Sequence, residues 1–271
     1  MIDKSIIFKI IGSLLFIEAL LLLACLFMAI GYQEDDVPAF IITIILTTLT
    51  GIVLRYLGRN ADNNMSRRDA YLVVTLSWII FSFFGTLPFI ISGYIPSFTD
   101  AYFETMSGFT TTGATIIDDV DKLPHGLLFW RSMTQWIGGL GIVFFTTAVL
   151  PSFVGGSVKV FAAEATGPIS SRLHPRLSTG AKWIWVVYLV LTIGCVLSFM
   201  ACGMGWFDSI NYAMGSTATG GFSTHTDSAE FFRSPAVEYV ATFFCFFSGV
   251  NFTLMYMAAK HRSCLLYTSD A

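Results

Sequence analysis

Long apolar blocks separated by short polar stretches run the length of the chain. Six blocks reach the span of about 20 residues that a helix needs to cross a bilayer core. They are Ile6–Ile30, Val37–Leu57, Ala70–Ser92, Gly126–Leu150, Trp183–Cys202 and Ala236–Ala258. Two shorter and less apolar stretches, Phe98–Thr115 and Trp206–Ser223, lie between the third and fourth blocks and between the fifth and sixth. Each is too short to cross, so each is expected to enter and leave the membrane on one side. The pattern predicts an all-α integral membrane protein with six crossings and two re-entrant segments.

Composition supports this class. The 271 residues are 55% hydrophobic and only 12% charged, whereas a soluble domain carries roughly twice that charged share. The first apolar run is too long for a signal-peptide core and lacks a small-x-small cleavage site, so it reads as a retained helix. Of the five cysteines, four sit inside apolar runs and none has metal-ligand spacing, which makes them small apolar filler. His125, His174, His225 and His261 are scattered over loops. No nucleophile, acid and base gather at one depth, so the reading is a non-enzyme without a metal or other cofactor.

Charge sets the expected orientation. With the N-terminus cytoplasmic, Lys4, Lys9, Arg55, Arg59, Arg67, Arg68, Lys159, Arg172, Arg176, Lys182, Lys260 and Arg262 fall inside, against Lys122, Arg131 and Arg233 outside. Both re-entrant segments then enter from the outer face. That face collects Glu34, Asp35, Asp36, Asp118, Asp119, Asp121, Asp208, Asp227 and Glu230, a negative vestibule expected to concentrate cations. Arg131, beside Trp130 and near a helix end, is expected to snorkel to the interface.

The two short stretches resemble one another. Asp100 and Met106 pair with Asp208 and Met214 at an offset of 108, while Thr112-Gly113 matches Thr219-Gly220 at 107, leaving the loop register open by one residue. The blocks around them also agree, so a unit of helix, re-entrant segment and helix recurs in the same orientation. Asp100–Phe109 and Asp208–Ser216 are expected to be short helices with the two aspartates as N-caps. Their C-terminal ends would point to the membrane centre and favour a cation there. Thr-Thr-Thr-Gly-Ala-Thr and Thr-Ala-Thr-Gly-Gly follow, where glycine lets successive carbonyls turn toward one axis and replace the water shell of a monovalent ion.

Three segments carry a family resemblance: Ser107-Gly-Phe-Thr-Thr-Thr-Gly-Ala-Thr115, Phe129-Trp-Arg-Ser-Met-Thr-Gln-Trp-Ile-Gly-Gly-Leu-Gly-Ile142 and Thr219-Gly-Gly-Phe-Ser-Thr-His225. The chain resembles the N-terminal half of the TrkH/KtrB superfamily of potassium transporters, and the TrkH branch above all. The resemblance implies a potassium-channel-like fold: an accessory helix pair over residues 1–60, a first helix–pore loop–helix unit over 61–154, a cytoplasmic loop over 155–182 and a second unit over 183–262. Residues 263–271 fall outside the family pattern and read as a non-native tail. It further implies that Gly113 and Gly220 are filter glycines lined by Thr111, Thr112, Ala218 and Thr219. Potassium would then be held by the backbone carbonyls of Thr111, Thr112 and Thr219, with Gln135, Thr110 and Gly221 supporting the filter. Partners implied are the potassium ion, the lipid bilayer, a cytoplasmic nucleotide-binding subunit of the TrkA type and a second copy in a homodimer, with no nucleic acid. Localisation would be the bacterial inner membrane. Rival readings are a secondary transporter with broken helices, a sodium- or ammonium-selective relative, and a non-conducting membrane fragment.

Overall fold

The computed structural model describes residues 3–61, 66–141 and 177–250, together with Met255. Among the described residues the regular elements are helices: α1 (Lys4–Tyr32), α2 (Val37–Leu57), α3 (Arg67–Ile91), α4 (Phe98–Phe109), α5 (His125–Leu140), α6 (Leu177–Ala201), α7 (Trp206–Thr217) and α8 (Pro235–Ser248). Two 3-10 turns, Val120–Lys122 and Ser228–Phe232, precede α5 and α8.

Local chemistry starts these helices where they start. The Asp3 carboxylate accepts from the Ser5 amide at 2.9 Å and caps α1. Ser66 and Asp69 exchange bonds in a capping box at α3, the Asp69 amide donating at 3.2 Å and the Ser66 amide at 3.0 Å. The other Asp69 oxygen accepts from the Asp3 amide at 3.1 Å, which holds the starts of α1 and α3 at one end of the bundle. Small residues set the α1–α2 hairpin: a Cβ on Gly12 would lie 2.8 Å from the Gly51 carbonyl oxygen and the Arg55 nitrogen. The two backbones therefore touch.

Four helices are long and apolar enough to cross a bilayer, by length and composition: α1, α2, α3 and α6. The predicted spans Gly126–Leu150 and Ala236–Ala258 are described only in part, as α5 and α8. The first is not the unbroken helix that its hydropathy suggested. It ends at Leu140, because Gly141 takes φ 81° and turns the chain out of the helix; residues 142–150 lie outside the described residues. The positions 155–176 of the expected cytoplasmic loop and the tail 263–271 also lie outside them.

The short helices begin one residue pair earlier than expected, and their caps differ. Ser97 caps α4 and Gly205 caps α7, while Asp100 and Asp208 sit inside the first turn, where a negative charge favours the helix dipole. α4 runs back along α3. The Thr105 and Thr86 hydroxyls are 3.4 Å apart and the Phe109 ring meets Phe81 edge-on at 5.8 Å. Phe81 lies about 15 Å, or ten residues, short of the end of α3, roughly half of a bilayer core. α7 does the same along α6, with the Thr217 and Thr192 hydroxyls 3.3 Å apart. Both short helices thus stop about halfway along the longer helix that precedes them, and the chain then returns to the end of that helix from which they start.

α5 joins the two halves. Trp130 donates from Nε1 to the Gly85 carbonyl at 2.8 Å on α3. Farther along α5, Trp136 donates to Thr192 at 3.0 Å and its carbonyl accepts from Tyr188 at 2.9 Å, both on α6. One apolar core unites α1 to α5; a smaller one, around Cys195, Phe199, Tyr212 and Phe244, holds α6 to α8.

Candidate functional site: two Thr/Gly loops at mid-depth

The loops that follow α4 and α7 share one backbone design. Thr110 and Ala218 donate to the Met106 and Met214 carbonyls, Thr111 and Thr219 to Gly108 and Ser216, and Thr112 and Gly220 to Ser107 and Gly215, all at 2.9–3.1 Å. These are the paired bonds of a Schellman helix end, whose residue after the cap needs a left-handed backbone. Glycine usually fills that place. Here it is a threonine in both copies, Thr111 at φ 53° and Thr219 at φ 55°, a strained conformation for a β-branched residue. Two residues on, Gly113 (φ 75°) and Gly221 (φ 88°) turn the chain again.

This settles the backbone register. Every equivalent pair is 108 apart, so Gly113 corresponds to Gly221 and Gly220 corresponds to Thr112. The 107 offset in the sequence arose because Gly220-Gly221 offers two glycines to match one. Gly220 plays a different part, since its carbonyl lies directly against Gly113, where any Cβ would collide with it. The two loops are in contact at this point.

Among the described residues, the carbonyl oxygens of Thr111, Thr112, Gly113, Thr219, Gly220 and Gly221 accept no hydrogen bond. Farther along, one carbonyl of each loop is tied down. Ser107 donates to Ala114 at 2.6 Å, and Arg131 donates to Ser223 at 2.9 Å. Gln135 of α5 reaches into the second loop, its Oε1 accepting from the Phe222 amide at 3.0 Å, and its side chain fills the space beside Gly220. Gly138 is pressed onto the Phe109 carbonyl, and a Cβ on Gly139 would lie 2.6 Å from the Tyr188 hydroxyl. The Thr110 and Thr112 hydroxyls bond each other at 2.8 Å, and Thr110 also donates to the Met106 carbonyl at 2.7 Å.

Behind the loops lies a buried ion pair. Arg131 is 3% exposed and does not snorkel; its Nε meets Glu104 at 2.6 Å, and its guanidinium stacks on the Phe222 ring at 3.8 Å. Glu104 also accepts from the Thr115 hydroxyl and the Ile116 amide, each at 3.0 Å. The snorkelling expectation failed because hydropathy counts depth along a helix and not the direction a side chain takes from it. Glu104 was invisible for the same reason: it is the one acid inside α4 beyond its first turn. Glu18 was also passed over. It stands at the centre of α1, fully buried, and its two oxygens accept no hydrogen bond among the described residues.

The acids expected to form an outer vestibule are only partly free. Glu34 accepts from the His125 amide at 2.6 Å and pairs with the His125 ring at 2.7 Å, closing the start of α5. Asp35 accepts from Tyr94 at 3.0 Å, and Asp36 is buried against Gly126. His225 binds Asp121 at 2.6 Å and approaches Asp208 at 3.6 Å. That contact holds the Asp121 carboxyl down at about 2. Asp118 and Asp227 are exposed.

Residues 36–266 match the family described as TrkH, cation transport protein. The chain belongs to the TrkH family of cation transport proteins. Among its relatives is the Trk system potassium uptake protein TrkH of Halomonas elongata, 36% identical over 97% of this chain and 55% of that protein. The TrkH protein of Vibrio parahaemolyticus is 37% identical over 94% of this chain and 53% of its own length. The crystal structure of the potassium transporter TrkH from Vibrio parahaemolyticus superposes with a TM-score of 0.81 at 35% identity, covering 96% of this chain and 53% of that one. The chain therefore spans about half the length of the relatives it matches.

Within this TrkH-family chain the residues singled out from sequence do assemble. Thr110 to Gly113 and Ala218 to Gly221 form two touching loops, and Gln135 stands behind the second. With its apolar helices, the family places the chain among multi-pass membrane proteins.

Proposed function

We propose that the protein serves potassium uptake across the bacterial inner membrane, with its N-terminus cytoplasmic and potassium passing along the carbonyls of the two Thr/Gly loops. One observation carries this: six loop carbonyls without hydrogen-bond partners among the described residues, at mid-depth in a chain of membrane-crossing helices. Backbone oxygens in lipid cost several kcal/mol each unless something satisfies them. A dehydrated monovalent cation does so, and neutral carbonyls release it again more readily than carboxylates would. The relatives' names supply the ion.

In this reading the pore helices are α4 and α7, whose C-terminal ends bring partial negative charge to the membrane centre. Thr111, Thr112, Gly113, Thr219, Gly220 and Gly221 line the path, with Ala218 and Thr110 at the mouths of the loops and Gln135 behind. Gly221 replaces Gly220 as the partner of Gly113. The reading extends, as the family resemblance implies, to two further units around the same path, a homodimer and a TrkA-type cytoplasmic partner. Uptake by a potassium-auxotrophic strain tests the whole reading, using this chain and a form extended to the length of its relatives. Rescue is expected from the extended form. Absence of rescue despite good membrane expression would remove the transport reading. In the same assay Gly113→Asp is expected to abolish potassium-over-sodium preference, since any Cβ there displaces the Gly220 carbonyl; an unchanged preference would show that Gly113 does not line the path.

A further inference from the structure

The buried Glu104–Arg131 pair has no part in carrying the ion, yet it touches both loops. We propose that it is a positioning device that fixes the carbonyls of both loops relative to each other and so sets cation selectivity. This rests on the transport reading above.

The geometry is one-sided. Glu104 grips the outgoing strand of the first loop through the Thr115 hydroxyl and the Ile116 amide, each at 3.0 Å. Arg131 grips the outgoing strand of the second through the Ser223 carbonyl at 2.9 Å and the Phe222 ring. The 2.6 Å bond between the two side chains joins these grips. Among the described residues the second unit has no such pair: at the 108 offset Glu104 becomes Tyr212, and no basic residue lies in α8. A single ion pair therefore serves two loops, one clamped from each side.

Burial makes this a poor choice for stability alone. Two charges withdrawn from water recover their desolvation only with full hydrogen bonding, and well-packed apolar residues often hold a fold as well or better. What an apolar pair cannot do is direct a carbonyl. Charge-assisted bonds fix distance and angle, and selectivity between ions of one charge depends on where the coordinating oxygens stand.

Two variants separate holding the fold from holding the loops. In the extended form, Glu104→Gln/Arg131→Met replaces the pair by neutral groups. Folded yield and melting temperature in detergent are expected near wild type, while the potassium-to-sodium uptake ratio falls about tenfold or more, the equivalent of one lost charge-assisted bond. A folded double variant with the wild-type ratio would overturn the proposal. Should that variant fail to fold, Thr115→Val decides. It removes, at an exposed position, the hydroxyl that donates to Glu104 and accepts from the Ile117 amide at 3.1 Å, and the ratio is expected to fall about fivefold; an unaltered ratio would overturn the proposal. Wild-type protein assayed alongside keeps the two readings apart. If it takes up no potassium, the transport reading fails; if it does and the variants match it, only the positioning role fails.

Discussion

At Asp36 a carboxyl group is shut away from water between Gly126 and Phe40. Burial, with Glu34 next, lifts it to about 6. The sign follows from the raised value. Below about pH 3 the group is protonated in folded and unfolded chains alike and costs nothing; the penalty grows from there and is borne in full above about 6. Asp36→Asn is therefore expected to stabilise the protein at pH 7.5 by about 2 kcal/mol and to change little at pH 3. Thermal denaturation at the two values checks this, and equal gains at both would show that charge is not the cause. Asp121 behaves oppositely. Its carboxyl is held at about 2 by His225, so its contribution is present above about pH 4 and fades as pH falls toward 2.

At the scale of the element, the informative feature is the end shared by α4 and α7. A threonine held left-handed costs of order 1 kcal/mol against glycine, and neither Thr111 nor Thr219 recovers it through a side-chain hydrogen bond among the described residues. Thr111→Gly and Thr219→Gly are each expected to raise the melting temperature, with a gain of about 1 kcal/mol, and to loosen ion preference. Stability that falls instead would mean that the side chains pack in ways that outweigh the strain. This end was only half legible in the sequence. The Thr/Gly composition and the preceding short helices marked the loops, because turn residues after an apolar run signal themselves locally. The register was not legible, since it depends on which residue takes a positive φ, and Gly220-Gly221 allows both alignments. Gln135 was readable as a polar residue in an apolar helix; the loop it would hold was not. The Glu104–Arg131 pair escaped because it joins α4 to α5, and spacing along one helix carries no trace of a partner on another.

Across the whole molecule, hydropathy placed the long helices within a few residues, since lipid demands length and little else. It could not see where α5 stops, because the break at Gly141 is a backbone angle within an apolar run. Packing at this scale is governed by small residues. Gly12 and Gly51 let α1 and α2 meet backbone to backbone, so Gly12→Val is expected to force them apart at a cost of about 2 kcal/mol. The loss would appear as a lower melting temperature in detergent; an unaltered value would show that the hairpin yields at this point.

The bond between Glu34 and the start of α5 has a consequence for synthesis. Its partners are 91 residues apart, and a ribosome adding about 5–20 residues per second needs roughly 5–20 s to travel between them. Throughout that interval the first hairpin waits in the membrane with Glu34 and Asp36 uncapped. Asp69 and Tyr94 of the next helix region are made sooner and can bind Asp3 and Asp35 first, so the arrival of His125 acts as a latch thrown late, on a hairpin already held by its neighbours.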